Sequence, residues 1–129
     1  MGRAFLEYAS ANQTNGFGDG VGIIDEAKAD SAISLEGRSS FNFSSAVEIP
    51  PVVEGMASED LLVFLDGFAQ GAHATVHLDV HKGENSHHIW EAAFRAFGVA
   101  LGRTYGSDPA RKGMTSGVAG EIKYTVKND

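Results

Sequence analysis

The sequence predicts an α+β sandwich: a small sheet with its helices packed on one face, in the order β-β-α-β-α. One two-residue alternation, two apolar stripes at helical spacing and the glycine and proline breaks between them carry that reading. The alternation is "AHATVHLDVH". It turns Ala72, Ala74, Val76, Leu78 and Val80 one way and His73, Thr75, His77, Asp79 and His81 the other. One stripe is Leu61, Leu62, Leu65, Phe68 and Ala69, ended by Gly71. The other is Ile89, Ala92, Ala93, Ala96, Phe97 and Ala100, in the longest helix, His87–Tyr105.

The remaining elements follow in chain order. Met1–Ala11 reads as a short helix with Phe5, Leu6 and Ala9 on one face and no capping residue before it. Asn12–Gly22 reads as a glycine-rich loop; no Gly-Lys-Ser/Thr follows, so it is not a phosphate loop. Ile23–Glu36 reads as one strand ended by Gly37, and Ser40–Glu48 as a second with Phe41, Phe43 and Ser45 on one face. Only Gly37–Ser39 separate the two, which predicts an antiparallel hairpin. Ile49-Pro50-Pro51 breaks the ladder. Ser58 is placed as the cap of the first stripe's helix, with Glu59 and Asp60 in its first turn, where the helix dipole favours anions. Gly106–Gly120 reads as a loop and Glu121–Val126 as a short terminal strand or tail. No second copy of this unit occurs, although "GRAFLEYA" near the start resembles "GVALGRTY" in the last helix.

With 129 residues the chain has the length of one domain, taken as 1–129. A net charge of -7 argues against an electrostatic nucleic-acid partner, which needs a basic face. It suits a small-molecule protein, in which an anionic ligand needs a local Arg or Lys cluster. The absence of cysteine removes disulfides, thiolate metal sites and cysteine catalysis. No apolar run approaches the ~18 residues of a membrane span, and the N-terminus lacks the apolar core of a secretory signal. No membrane partner and a cytoplasmic location are therefore expected.

The chemistry gathers in "GENSHHIWEAAFRAF". His87 and Glu91, four residues apart, share a helix face and can hold one divalent ion. His88 lies about 100° round the helix and points elsewhere, so adjacent histidines serve two sites better than one. Two ligands do not complete a metal site. Spacing alone leaves open a solvated helix start. It also leaves the histidines of the alternating strand as a wet face, because His73, His77 and His81 are too extended to share an ion. Arg95 is two turns beyond His87 and Arg38 follows the turn glycine in "LEGRSSF". "PARKGMTSG" offers Arg111, Lys112, Thr115 and Ser116 in a glycine-flanked loop able to present hydroxyls and amides to phosphate. Each also has a plain surface reading.

Together these blocks resemble the second half of imidazoleglycerol-phosphate dehydratases. "GENSHHIWEAAFRAFGVAL" is similar to the family's "GxNxHHxxEAxFKAxxxAL", and "IIDEAKADSAISLEGRSSF" to its "PMDEALxxxxxDLSGRPY". "EDLLVFLDGFAQGAHATVHLDV" resembles "ELVEHFFRxxAxNAxxTLHV", and "DPARKGMTSGV" stands in the place of "DPRxxxxPSTKGV". The resemblance runs from about residue 1 to residue 118. It implies one ββαβα repeat unit of a ribosomal protein S5 domain 2-like fold, over residues 23–105, with helices on one face of a small mixed sheet. It further implies that 1–11 is a remnant helix of a missing first unit and 106–129 a C-terminal loop and tail.

The resemblance also implies a function: a hydro-lyase of histidine biosynthesis that eliminates water from imidazole glycerol phosphate. The implied cofactor is a divalent metal, manganese, with iron or zinc as alternatives. Carried over position by position, His87 and Glu91 match the pair that binds one ion, and His88 a ligand of the other; Glu91 and His88 take the catalytic roles. Arg38, Arg95, Thr115 and Ser116 match positions that hold substrate phosphate. The implied partners are a small phosphorylated imidazole substrate and further copies of the chain, as a dimer or a larger cage-like homo-oligomer. Three departures stand out. Val63 occupies the place of a ligand histidine, Gly16 that of a loop arginine, and the lysine of the phosphate loop is missing. A non-catalytic metal-binding or structural homo-oligomer of the same fold, or an incomplete half of the enzyme, remains the alternative.

Overall fold

The computed structural model describes residues 1–107. Its elements are helix α1 (Gly2–Ala11), strands β1 (Phe17–Ile24), β2 (Ala27–Ser34) and β3 (Ser40–Ser45), a two-stranded ribbon of β4 (Val52–Val53) and β5 (Met56–Ala57), helix α2 (Ser58–Ala72), strand β6 (Thr75–Lys82) and helix α3 (Ser86–Thr104). The main sheet has the order β1-β2-β6-β3. β1, β2 and β6 pair antiparallel in sequence, and β3 joins β6 in parallel. The sheet is therefore mixed, and the expected α+β class with its helices on one face holds. From residue 27 onward the main elements run ββαβα, with β1 ahead of them and the small ribbon inserted.

Four local expectations need correction. The stretch taken as a glycine loop contains most of β1. Its inward positions Gly18, Gly20 and Gly22 are buried because α3 lies directly on them. A Cβ on Gly18 would come 2.5 Å from the Thr104 amide nitrogen, and one on Gly20 2.6 Å from the Val99 Cβ. Only a bare backbone lets the helix approach this closely. The single strand expected from 23 to 36 is two, folded at a two-residue hairpin, Asp25-Glu26, whose ends pair Ile24 with Ala27. Asp25 takes a left-handed φ of 48° there. The hairpin expected between the Ile23–Glu36 and Ser40–Glu48 runs does not form. β2 already has β1 and β6 as neighbours, so β3 pairs with β6 instead, in parallel, through a crossover that carries α2. Finally, Ser58 does not cap α2. Ala57 holds that position, and the Ser58 hydroxyl instead donates to the Pro50 carbonyl and accepts from the Trp90 indole at 3.0 Å.

The core lies between the sheet and the helices. Val76, Leu78 and Val80 of β6 and Ala29 and Ile33 of β2 meet Ile89, Ala93 and Ala96 of α3 and Leu65, Phe68 and Ala69 of α2, all almost wholly buried. The alternation read in "AHATVHLDVH" is observed: its apolar members face this core, and Ala72 and His73 end the preceding helix, with His73 left-handed at φ 52°. α1 packs across α2. Phe5 of α1 sits 5.3 Å from the Phe68 ring and 4.9 Å from the Tyr105 ring. No helix among the described residues is long and apolar enough to cross a membrane.

Candidate functional site

The site forms where three chain reversals converge on the start of α3. Asn85 caps that helix, its side-chain oxygen accepting from the His88 amide at 3.1 Å. Ile89, Trp90, Ala92 and Ala93 then pull the next turn into the core, which fixes the azimuth of the helix. His87 and Glu91 are thereby left on the solvent side, and His88 is turned toward the β1–β2 hairpin.

The two adjacent rings have different surroundings. The His87 side chain is 52% exposed and lies between two carboxylates: Nε2 is 3.1 Å from Glu91 Oε1, and Nδ1 is 3.1 Å from Glu54 Oε1. Glu54 comes from the β4–β5 ribbon turn, Glu54-Gly55, with φ values of 49° and 80°. The His88 side chain is 29% exposed, and its Nδ1 donates to Glu26 Oε1 at 2.8 Å. Its Nε2 is 3.6 Å from Asp25 Oδ2. The ring centres stand 6.5 Å apart at 75°. The divergence read from helical geometry is thus present, and each histidine meets a different pair of acids.

Glu26 is anchored more firmly than its neighbours. Its second oxygen accepts from the backbone amides of Glu84 and Asn85, each at 2.9 Å. Those two amides, followed by the His88 ring, hold the Glu26 carboxyl at a pKa of about 2, below the ordinary 4.5. The same hydrogen bond, donated to Glu26, raises the His88 pKa above its ordinary 6.5 against the opposing effect of burial, with smaller help from the charges of Glu26, Asp25 and Glu91.

The donor types suit a divalent metal: neutral imidazole and carboxylate, with no thiolate. Two donors about 2.1 Å from a shared ion in neighbouring octahedral positions stand about 3 Å apart. The 3.1 Å between His87 Nε2 and Glu91 Oε1 meets that spacing. Yet no group of three or more His, Asp or Glu among the described residues converges on one point. The chain offers pairs, and any further ligands have to come from elsewhere.

The other sequence-predicted positions are dispersed. Arg95 lies one turn beyond Glu91 and pairs with it at 3.5 Å, so it borders the His87 side. Arg38 is exposed and follows the far end of β2, whose eight residues span roughly 25 Å from the Asp25-Glu26 hairpin. Within one chain it does not reach α3's first turn. Thr115 and Ser116 lie outside the described residues, as does the proposed terminal strand. Val63 is 63% exposed on α2 and closes no site. The three acids Asp25, Glu26 and Glu54 were not singled out from the sequence. Their two hairpin turns are 62 and 33 positions from the histidines they meet, and no local pattern announces such contacts. A faint signal was available for one of them, since Asp25-Glu26 falls inside the "MDEA"-like block.

Comparison with known proteins places the chain among related sequences and structures. The family model described as imidazoleglycerol-phosphate dehydratase matches residues 1–101. An imidazoleglycerol-phosphate dehydratase of Thermotoga neapolitana is 35% identical over 105 residues, which is 80% of this chain and 52% of that protein. The crystal structure of the Staphylococcus aureus dehydratase superposes with a TM-score of 0.77 at 27% identity, over 83% of this chain and 63% of that one. The Pyrococcus furiosus enzyme, solved in complex with (S)-C348, gives a TM-score of 0.70 at 33% identity, over 91% of this chain and 66% of that one. The chain spans about half to two thirds of the length of the relatives it matches.

Proposed function

The chain belongs to the imidazoleglycerol-phosphate dehydratase family, and we propose on that premise that it carries one metal-binding helix of a hydro-lyase acting on imidazole glycerol phosphate. The observation that supports this most is the His87–Glu91 pair, with donor spacing that suits one divalent ion, beside a His88 aimed at a second. Manganese is the ion proposed, with iron or zinc as the alternatives.

The reaction removes a C–H proton and a hydroxyl group from neighbouring carbons of imidazole glycerol phosphate. It releases water and imidazole acetol phosphate. His87 and Glu91 would hold the divalent ion, whose Lewis acidity would ease loss of a poorly acidic proton. Glu91, a carboxylate on the solvent side of α3, would accept and return a proton, with His88 sharing that role. Arg95 extends the same helix face toward an anionic group. Arg38, Thr115 and Ser116 would complete the phosphate contacts from further copies of the chain, because Arg38 stands at the other end of the sheet.

A homo-oligomer is part of this reading, as a dimer or a larger cage-like assembly. Its basis is that the described residues offer ligand pairs only. Exposed apolar side chains also remain on α2 (Val63, Phe64) and on the outer face of β1 (Phe17, Val21, Ile23). A cytoplasmic enzyme without nucleic-acid or membrane partners fits the acidic composition. Val63 at a position where the family has a histidine favours the second reading, a non-catalytic metal-binding or structural oligomer of the same fold.

Metal analysis, oligomer mass and a dehydration assay with added Mn²⁺ separate the two. The first reading expects bound metal, an assembly larger than a monomer, and Mn²⁺-dependent turnover. Metal without turnover supports the second. A metal-free, monomeric, inactive protein would overturn both. His87→Ala should lose the ion shared with Glu91; metal retained in full would show that assignment to be wrong.

A further inference from the structure

The Asp25-Glu26 hairpin has no part in the site as read from the sequence, yet its Glu26 carboxylate accepts three hydrogen bonds there. Glu26 uses both oxygens. Oε2 is held by the Glu84 and Asn85 amides, which fixes the carboxylate against the loop that enters α3. Oε1 then meets His88 Nδ1 at 2.8 Å. An ionised carboxylate only accepts hydrogen bonds, so the proton in this contact belongs to the ring: Nδ1 carries the hydrogen. In a neutral imidazole that leaves Nε2 bare, on the side away from Glu26. Asp25 Oδ2 lies 3.6 Å from that bare nitrogen. A lone pair facing a carboxylate is a repulsive arrangement that a cation between them relieves. His87 has no such bias, since both its nitrogens stand 3.1 Å from a carboxylate oxygen.

We infer that Glu26 is a positioning residue: it locks the His88 ring in the Nδ1–H form and presents Nε2 outward as an unprotonated donor. The inference rests on the proposed reading of His88 as a metal ligand for its use, but not for its geometry. Outer carboxylates that orient ligand histidines in this way commonly contribute 10- to 100-fold to metal affinity.

The test is a long-range ¹H–¹⁵N correlation of the imidazole rings in the 129-residue chain, at about pH 9, where free histidines are neutral. The expected result is a His88 pattern with Nδ1 protonated. An Nε2–H pattern overturns the inference. In Glu26→Ala, His88 should move toward the Nε2–H form that free imidazole prefers. An unchanged tautomer in a folded variant means that Glu26 only holds the 83–86 loop, and the inference fails. If that variant does not fold, the wild-type pattern decides alone. Titration with diamagnetic Zn²⁺ adds a second readout: the wild-type His88 Nε2 resonance should shift, and affinity should fall about tenfold or more in the variant. A shift centred on Nδ1, or an affinity equal to wild type, overturns the inference. If wild type shows the Nδ1–H form and no response to Zn²⁺, Glu26's role stands and the metal reading of the site falls instead.

Discussion

His87 and His88 are neighbours in the chain and opposites in setting. His87 is exposed, and one of its two acids, Glu91, rides on the same helix. Wherever α3 goes, that pair goes with it. His88 is half covered, and its acid belongs to a hairpin 62 residues away. Its geometry therefore reports how α3 sits on β1, whereas that of His87 reports only that α3 is a helix. Local spacing builds one half of the site, and tertiary packing builds the other.

The strongest way to break this comparison is to push α3 off the sheet. Gly22 faces Ala92, and a Cβ there would overlap the Ala92 carbonyl and come 2.7 Å from the Ala96 nitrogen. Gly22→Val should destabilise the fold by about 3 kcal/mol, the upper part of the overpacking range, read from urea denaturation. In whatever folded protein remains, the Glu26–His88 contact should be lost while the His87–Glu91 pair survives. Equal loss of both, by ring NMR, would show that the two halves are not independent.

A smaller effect separates the acids themselves. Glu26→Ala removes the acceptor of three hydrogen bonds, from the Glu84 and Asn85 amides and the His88 ring; the exposed amides turn to water, so the Tm should fall modestly. Glu54→Gln removes only an exposed partner of His87 and should change stability by less than about 0.5 kcal/mol. A Tm ranking in the opposite order would mean that the hairpin contact is incidental.

The gentlest probe is pH. The folded state holds the Glu26 carboxyl at about 2 against an ordinary 4.5. A depressed carboxyl contributes stability that is complete above the unfolded value and is lost as pH falls through the folded one. The urea midpoint should therefore drop between about pH 4.5 and 2, and that part of the slope should vanish in Glu26→Gln. An unchanged slope in the variant would assign the acid sensitivity to other groups.

These contrasts follow what a sequence makes visible. The i, i+4 relation of His87 and Glu91, the stripes of α2 and α3 and the alternation of β6 are local periodicities, and all appear in the structure. β1 escaped because its hydrophobicity is reversed: glycines line the buried face, and Phe17, Val21 and Ile23 lie on the exposed one. A pattern that places apolar side chains inward reads such a strand as loop. The Asp25-Glu26 turn carries no glycine or proline and sits directly before the alternation of "AKADSAISLEG", so the two strands read as one. The parallel pairing of β3 with β6 joins residues 35 apart and has no local signature.

The glycine face of β1 has one more consequence, for the order of events in folding. It is complementary to α3, and the two come from nearly opposite ends of the described chain, residues 17–24 and 86–104. Contacts of such long range form late, after the entropy of closing the intervening loop has been overcome. During synthesis, β1 waits with a bare backbone face until α3 has left the ribosome. The Glu26 carboxylate and the His88 ring therefore meet only when α3 docks on the sheet, which makes the nitrogen pattern of one side chain a marker for that docking.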